Sequence, residues 1–170
     1  MSVSDREDLL FDVTASDRLP PVRKEKVMVD KKVISYPGHD AGLGGRIWSP
    51  GLKVGPWVFL SGITSVDYDE KKTVGIEERS SMTPPKKDPE AQWRQVLTNI
   101  RSMMEQAGGT MADVVMANVF VTDMHYYYDY EWVRQEFFVE PYPVCTAVEV
   151  GSLVHTDWML EVEVIGYIEN

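Results

Sequence analysis

The stretch M-L-E-V-E-V-I-G-Y, residues 159–167, alternates so regularly that it reads as a strand with two unlike faces. Leu160, Val162, Val164 and Ile168 point one way, and Glu161, Glu163, Ile165 and Tyr167 point the other. The first set suits a layer of helices. The second mixes carboxylates with large apolar groups, an odd composition for a face that meets only water. This strand therefore belongs to a sheet that helices cover on one side and something other than solvent engages on the other.

Outward from it, a strand is expected over 146–150 and another in V-V-M-A-N-V-F-V-T (114–122). The clearest helix starts at Pro89, whose missing N–H costs nothing at the first helical position, with Asp88 as its cap. Trp93, Val96, Leu97, Ile100, Met103, Met104 and Ala107 follow helical spacing, and Gly108-Gly109 stops the run. A short capped turn is expected at T-M-A-D (110–113), and a second helix over 126–138, with Tyr126, Tyr130, Val133 and Phe137 on one stripe. W-V-F-L-S (57–61) has the density of a buried strand; weaker strands are expected over 33–36 and 64–67. The glycine-rich G-H-D-A-G-L-G-G-R (38–46) must be a loop, and S-S-M-T-P-P-K-K (80–87) lies in a long charged one. Strands, helix, strand, helix, strands, with both helices amphipathic, predict an α+β fold: one mixed sheet with two helices on one face.

With 170 residues, 44% of them hydrophobic, the chain suits one domain over 31–170, preceded by a partly ordered extension over 1–30 whose apolar knot is Leu9, Leu10 and Phe11. No apolar run approaches a membrane span, the N-terminus has no signal-peptide pattern, and a single cysteine fits a reducing compartment. A cytoplasmic protein with no membrane partner is the expectation. A formal charge of −10 argues against nucleic acid, whose binders place Lys and Arg against phosphates. His125 and His155 have no partner at metal-ligand spacing, and no phosphate loop or nucleophile elbow occurs, so neither metal nor cofactor is expected.

Several short motifs in order, S-G-I (61–63), Q-W-R-Q-V-L-T-N-I (92–100), E-F-F (136–138), Y-P-V-C-T-A-V-E-V (142–150) and the closing strand, resemble the RidA/YjgF family. The resemblance covers about 33–167, with insertions before Trp48 and between Asp67 and Asp88. It implies a homotrimer with clefts between adjacent subunits, and hydrolysis of reactive enamines and imines derived from amino acids. Members with that activity carry P-x-R-x-x-V-x-V, the arginine clamping the substrate carboxylate; here Cys145 stands in its place.

By the same resemblance, Glu161 is the catalytic candidate, positioning or activating the attacking water; the bland alternative is an exposed strand glutamate. Ser61 and Gly62 would meet the ligand through backbone, and Trp48 would stack on it or simply pack. Cys145 would fill the pocket floor as a small thiol, with no local signature of a nucleophile. Each lost hydrogen bond to a charged group removes roughly 1.5–3 kcal/mol, so the usual 2-imino acids should be poor substrates unless another cation has moved in. Arg46 is the first such cation, ahead of Lys86 and Lys87, although a solvated loop arginine is the commoner fate. Glu131 falls where relatives have an asparagine near the cleft; facing it, an acid there would suit a neutral or cationic substrate, and the alternative is a glutamate on the helix surface. Tyr126, Tyr127, Tyr128 and Tyr130 cannot all be buried on one helix face, which points first to a subunit contact and second to a ligand wall.

The reading that results is a deaminase-like hydrolase of a C=N or enamine bond in a small metabolite. Its rivals are a trimeric small-molecule binding or regulatory protein without turnover, and a tautomerase or ring-opening enzyme of aromatic breakdown.

Overall fold

The computed structural model of the chain describes residues 30–38, 48–77 and 86–169. The knot at Leu9, Leu10 and Phe11, Arg46 and most of the glycine-rich loop lie outside them.

β1 (Lys31–Ile34), β2 (Gly51–Val54) and β3 (Trp57–Ile63) pair antiparallel in sequence. β4 (Val66–Asp67) and β5 (Lys72–Thr73) make a separate two-stranded ribbon. After α1 (Pro89–Gln106) come β6 (Val114–Val121), α2 (His125–Val133), β7 (Val144–Glu149) and β8 (Leu160–Tyr167). The main sheet is six-stranded in the order β1-β2-β3-β8-β6-β7. Among the described strands only β6 and β7 run parallel, and α2 lies on the connection that such a pair requires.

α1 forms where the spacing places it. Asp88 Oδ1 accepts from the Ala91 N–H at 3.0 Å, and Pro89 opens the helix. Trp93, Val96, Leu97, Ile100, Met103 and Met104 are fully buried, each such side chain contributing about 1.5–3 kcal/mol relative to exposure. Trp93 also donates its indole N–H to the Tyr126 carbonyl at 2.7 Å and packs on Tyr130, ring centroids 4.5 Å apart, which locks α1 to α2.

β8 divides as its alternation predicts. Leu160, Val162 and Val164 are buried in the core, while Glu163 and Tyr167 are exposed and Glu161 and Ile165 half-buried. Trp57 and Phe59 on β3 share that second face, since they pair with Tyr167 and Ile165, and both remain exposed, as does Val148 on β7.

Some boundaries differ from expectation. The first strand begins two residues early, at Lys31, and β2 lies in a segment for which no element was expected. α2 ends at Val133, and a 3-10 turn over Arg134–Glu136 follows; both Phe137 and Phe138 donate their N–H to the Arg134 carbonyl, turning the chain so that Phe138 is buried. Of the expected 64–67 strand only Val66–Asp67 pairs, and it pairs with the ribbon rather than the main sheet.

Candidate functional site

Between Leu60–Val164 and Ile63–Val162, β3 spends two residues, Ser61 and Gly62, where β8 spends one. This bulge bends the strand and re-aims its neighbours. Ser61 is held from behind: its N–H donates to the Pro50 carbonyl and its Oγ–H to the Ser49 carbonyl, both at 2.8 Å. Gly62 leaves room. A Cβ there would lie 1.7 Å from Glu161 Oε1 and 2.8 Å from its Cγ, so the glutamate side chain lies across the glycine backbone.

Glu161 accepts no hydrogen bond from the described residues, in contrast to Glu163, whose Oε2 accepts from Asn118 Nδ2 at 3.1 Å. Burial raises the Glu161 carboxyl above its ordinary pKa, and the neighbouring Glu163 charge raises it further. It is a proton acceptor made more basic than an exposed glutamate and left without a donor among the described residues.

Ser61, Gly62 and Glu161 line a cleft of about 580 Å³, together with Trp48. Tyr36, Thr64, Val66, Tyr68, Lys71, Val154 and Trp158 complete it. Two amides on α1 fix its backbone walls. Asn99 donates to the carbonyls of Thr64 (3.0 Å) and Val66 (2.9 Å). Gln92 brackets Trp158, donating to the Asp157 carbonyl at 2.9 Å and accepting from the Met159 N–H at 3.0 Å. Both amides are buried. Sequence reasoning missed them, although two amides seven residues apart on α1's apolar stripe were the available signal.

The other sequence candidates lie elsewhere. Cys145 on β7 faces α2, with Tyr127 Oη 4.0 Å from its exposed thiol. Glu131 sits at the same corner and accepts from Arg134 Nη2 at 2.7 Å. Within one chain, neither Cys145 nor Glu131 lines the Glu161 cleft. His155 lines a smaller neighbouring cleft of about 350 Å³ with Asp123 and Tyr126. Lys86 pairs with Glu77, and Arg46 lies outside the described residues. Of the tyrosine cluster, Tyr130 is buried and Tyr128 exposed. Among the described residues no group of His, Cys, Asp and Glu gathers to hold a metal, and no helix is long and apolar enough to cross a membrane.

A mixed sheet carrying two helices, with a ligand-sized cleft at a bulge beside its central strand, defines a class of small α+β proteins. Within it, the chain belongs to the YjgF/RidA family: the family model described as endoribonuclease L-PSP matches residues 45–168. A RutC family protein of Pyrococcus abyssi is 31% identical over 122 residues, covering 72% of this chain and 87% of that one. The crystal structure of RidA from the Antarctic bacterium Psychrobacter sp. is 31% identical with a TM-score of 0.63, over 81% of this chain and 99% of that one. A Pseudomonas aeruginosa protein of unknown function is 26% identical with a TM-score of 0.69, over 84% and 95% of the two chains.

Proposed function

We propose that the chain is a hydrolase of C=N or enamine bonds in a small metabolite, with Glu161 as the group that handles the water. The observation that carries this reading is the Glu161 carboxylate itself, laid half-buried across Gly62, accepting no hydrogen bond from the described residues and raised in pKa. An acceptor whose pKa moves toward neutrality is better matched to proton transfer at the working pH. Water adds through its oxygen to the imine carbon while Glu161 takes one of its protons. Glu161 returns that proton to nitrogen, and as the carbinolamine C–N bond breaks the hydroxyl's remaining proton also passes to nitrogen, so that ammonia leaves and a carbonyl remains. An enamine enters the same sequence after protonation at carbon.

The uncovered sheet face supports assembly. Trp57, Phe59 and Tyr167, each more than a third exposed, share one face with Glu163 and Glu161, and clustered exposed aromatics rimmed by charge mark interaction surfaces. A homotrimer would bury it and bring β7, with Cys145, to a neighbour's cleft. Light scattering should give three times the chain mass; a monomer would end this part of the reading. The acidic surface again disfavours nucleic acid, and RNA retention in a filter assay at physiological salt should be absent.

Ammonia release from 2-aminoacrylate and 2-iminobutanoate generated in situ tests the activity. Wild-type should accelerate it and Glu161→Gln should not, while folding and ligand binding survive. Cysteine in place of the arginine favours a second reading, binding without turnover; it gains if Glu161→Gln alters only affinity.

A further inference from the structure

With cysteine in place of the arginine, something else must hold the rest of the ligand, and the cleft offers two features for that task. Its walls are aromatic. Tyr36 stacks on Tyr68 with centroids 4.6 Å apart and planes 17° apart, Trp48 meets Tyr36 edge-on at 6.3 Å, and Trp158 lines the same space. Such walls match a flat conjugated molecule better than a short aliphatic one.

The second feature is Lys71, the one cation among the described residues lining the cleft. It pairs with no carboxylate among the described residues, whereas Lys72 beside it is paired with Glu70. Its backbone is left-handed, φ +55°, which side chains other than Gly, Asn and Asp avoid. The ribbon turn holds it there, with Asp67 Oδ1 accepting the N–H groups of Asp69 (3.0 Å) and Glu70 (2.9 Å). A turn built for economy would carry glycine or asparagine at this position; this one carries a cation to the cleft. Within one chain Glu131 does not line the cleft, and Arg134 pairs with its carboxylate.

We propose that Lys71 is the anion-binding group of this cleft and that its ligand is a small planar carboxylate, an aromatic or conjugated 2-imino acid or the 2-oxo acid it yields. The imino part of this assignment rests on the hydrolase reading; the anion site does not.

Tryptophan-fluorescence titration of the full chain separates the two. The probes are phenylpyruvate, phenylacetone (the same ring and ketone without a carboxylate) and 2-oxobutanoate (the carboxylate without a ring). Phenylpyruvate should bind about tenfold tighter than either, the range expected for one charge-assisted contact. High salt should shrink its advantage over phenylacetone. Lys71→Asn keeps a residue tolerant of the left-handed turn and should cut that advantage to about twofold without moving the phenylacetone affinity. Lys71→Arg should retain it, and serves if Lys71→Asn folds poorly. No binding of any probe, no carboxylate advantage in the wild type, or an advantage that survives Lys71→Asn and vanishes in Arg46→Ala would each overturn the proposal. Carboxylate-dependent binding without ammonia release would sink the hydrolase reading and leave the anion site standing.

Discussion

Gly62 and Glu161 share one space, and an alanine at 62 makes them compete for it. The new methyl would stand 1.7 Å from Glu161 Oε1 and 2.4 Å from its carboxyl carbon. Since unstrained heavy-atom contacts lie near 3.5 Å, the carboxylate must retreat by roughly 1.5 Å. The backbone is the stiffer partner, because the pairs Leu60–Val164 and Ile63–Val162 hold β3 on both sides of the bulge. The glutamate moves instead, and a displaced rotamer costs about 0.5–1.5 kcal/mol. At about 2–4 °C per kcal/mol for a chain of this size, the melting point should fall by about 1–6 °C. The rate should suffer far more, since a misplacement of about 1 Å at a reacting group can cost on the order of a hundredfold. Gly62→Ala should therefore remain folded by circular dichroism and lose about a hundredfold in kcat/KM for ammonia release. In a Glu161→Ala background the same alanine meets no carboxylate and should change stability by less than about 0.5 kcal/mol. Activity within about threefold of wild type, or an equal melting loss in both backgrounds, would refute the coupling.

Gln92→Leu should cost about 2–4 kcal/mol in urea unfolding, because it strands the Met159 N–H and the Asp157 carbonyl, and it should weaken ligand binding through Trp158; a loss under about 0.5 kcal/mol would mean that the bracket is incidental. The raised pKa of Glu161 gives paired pH predictions. Between the unfolded and the higher folded pKa the native state binds more protons, so its stability falls as pH rises through that window and stays lower above it. Glu161→Gln should thus melt higher than wild type at neutral pH, with the gap closing below the ordinary carboxylate range. The wild-type rate should climb with pH through the same raised pKa, and a flat profile would remove Glu161 as the base.

Much of this was legible in the chain. Asp88, Pro89 and the apolar spacing to Ala107 delimit α1 because cap, proline and stripe agree on the same ends. The two faces of β8 follow from its period of two. β2 was not legible: G-L-K-V is short, glycine-led and half polar, and only its pairing with β1 and β3 makes it a strand. The end of α2 was hidden by tyrosines, which give every face of that helix an apolar body. At the site, Glu161, Ser61, Gly62 and Trp48 were found by motif and do converge on one cleft. Lys71 was not, since a lysine in D-Y-D-E-K-K looks like any solvated turn residue until the ribbon sets it, still exposed, at the rim of the cleft. Tyr36, Tyr68 and Trp158 come from segments that only long-range pairing brings together.

Asn99 and Gln92 stand seven residues apart on α1, about 10 Å along its axis at 1.5 Å per residue. Each grips a different backbone wall of the cleft, so the pitch of one helix acts as a caliper that sets the aperture. Loops at the rim can lengthen or shorten without changing that gauge. To admit a wider guest, the amide must move along the helix by a full turn, a quantised step rather than a gradual one.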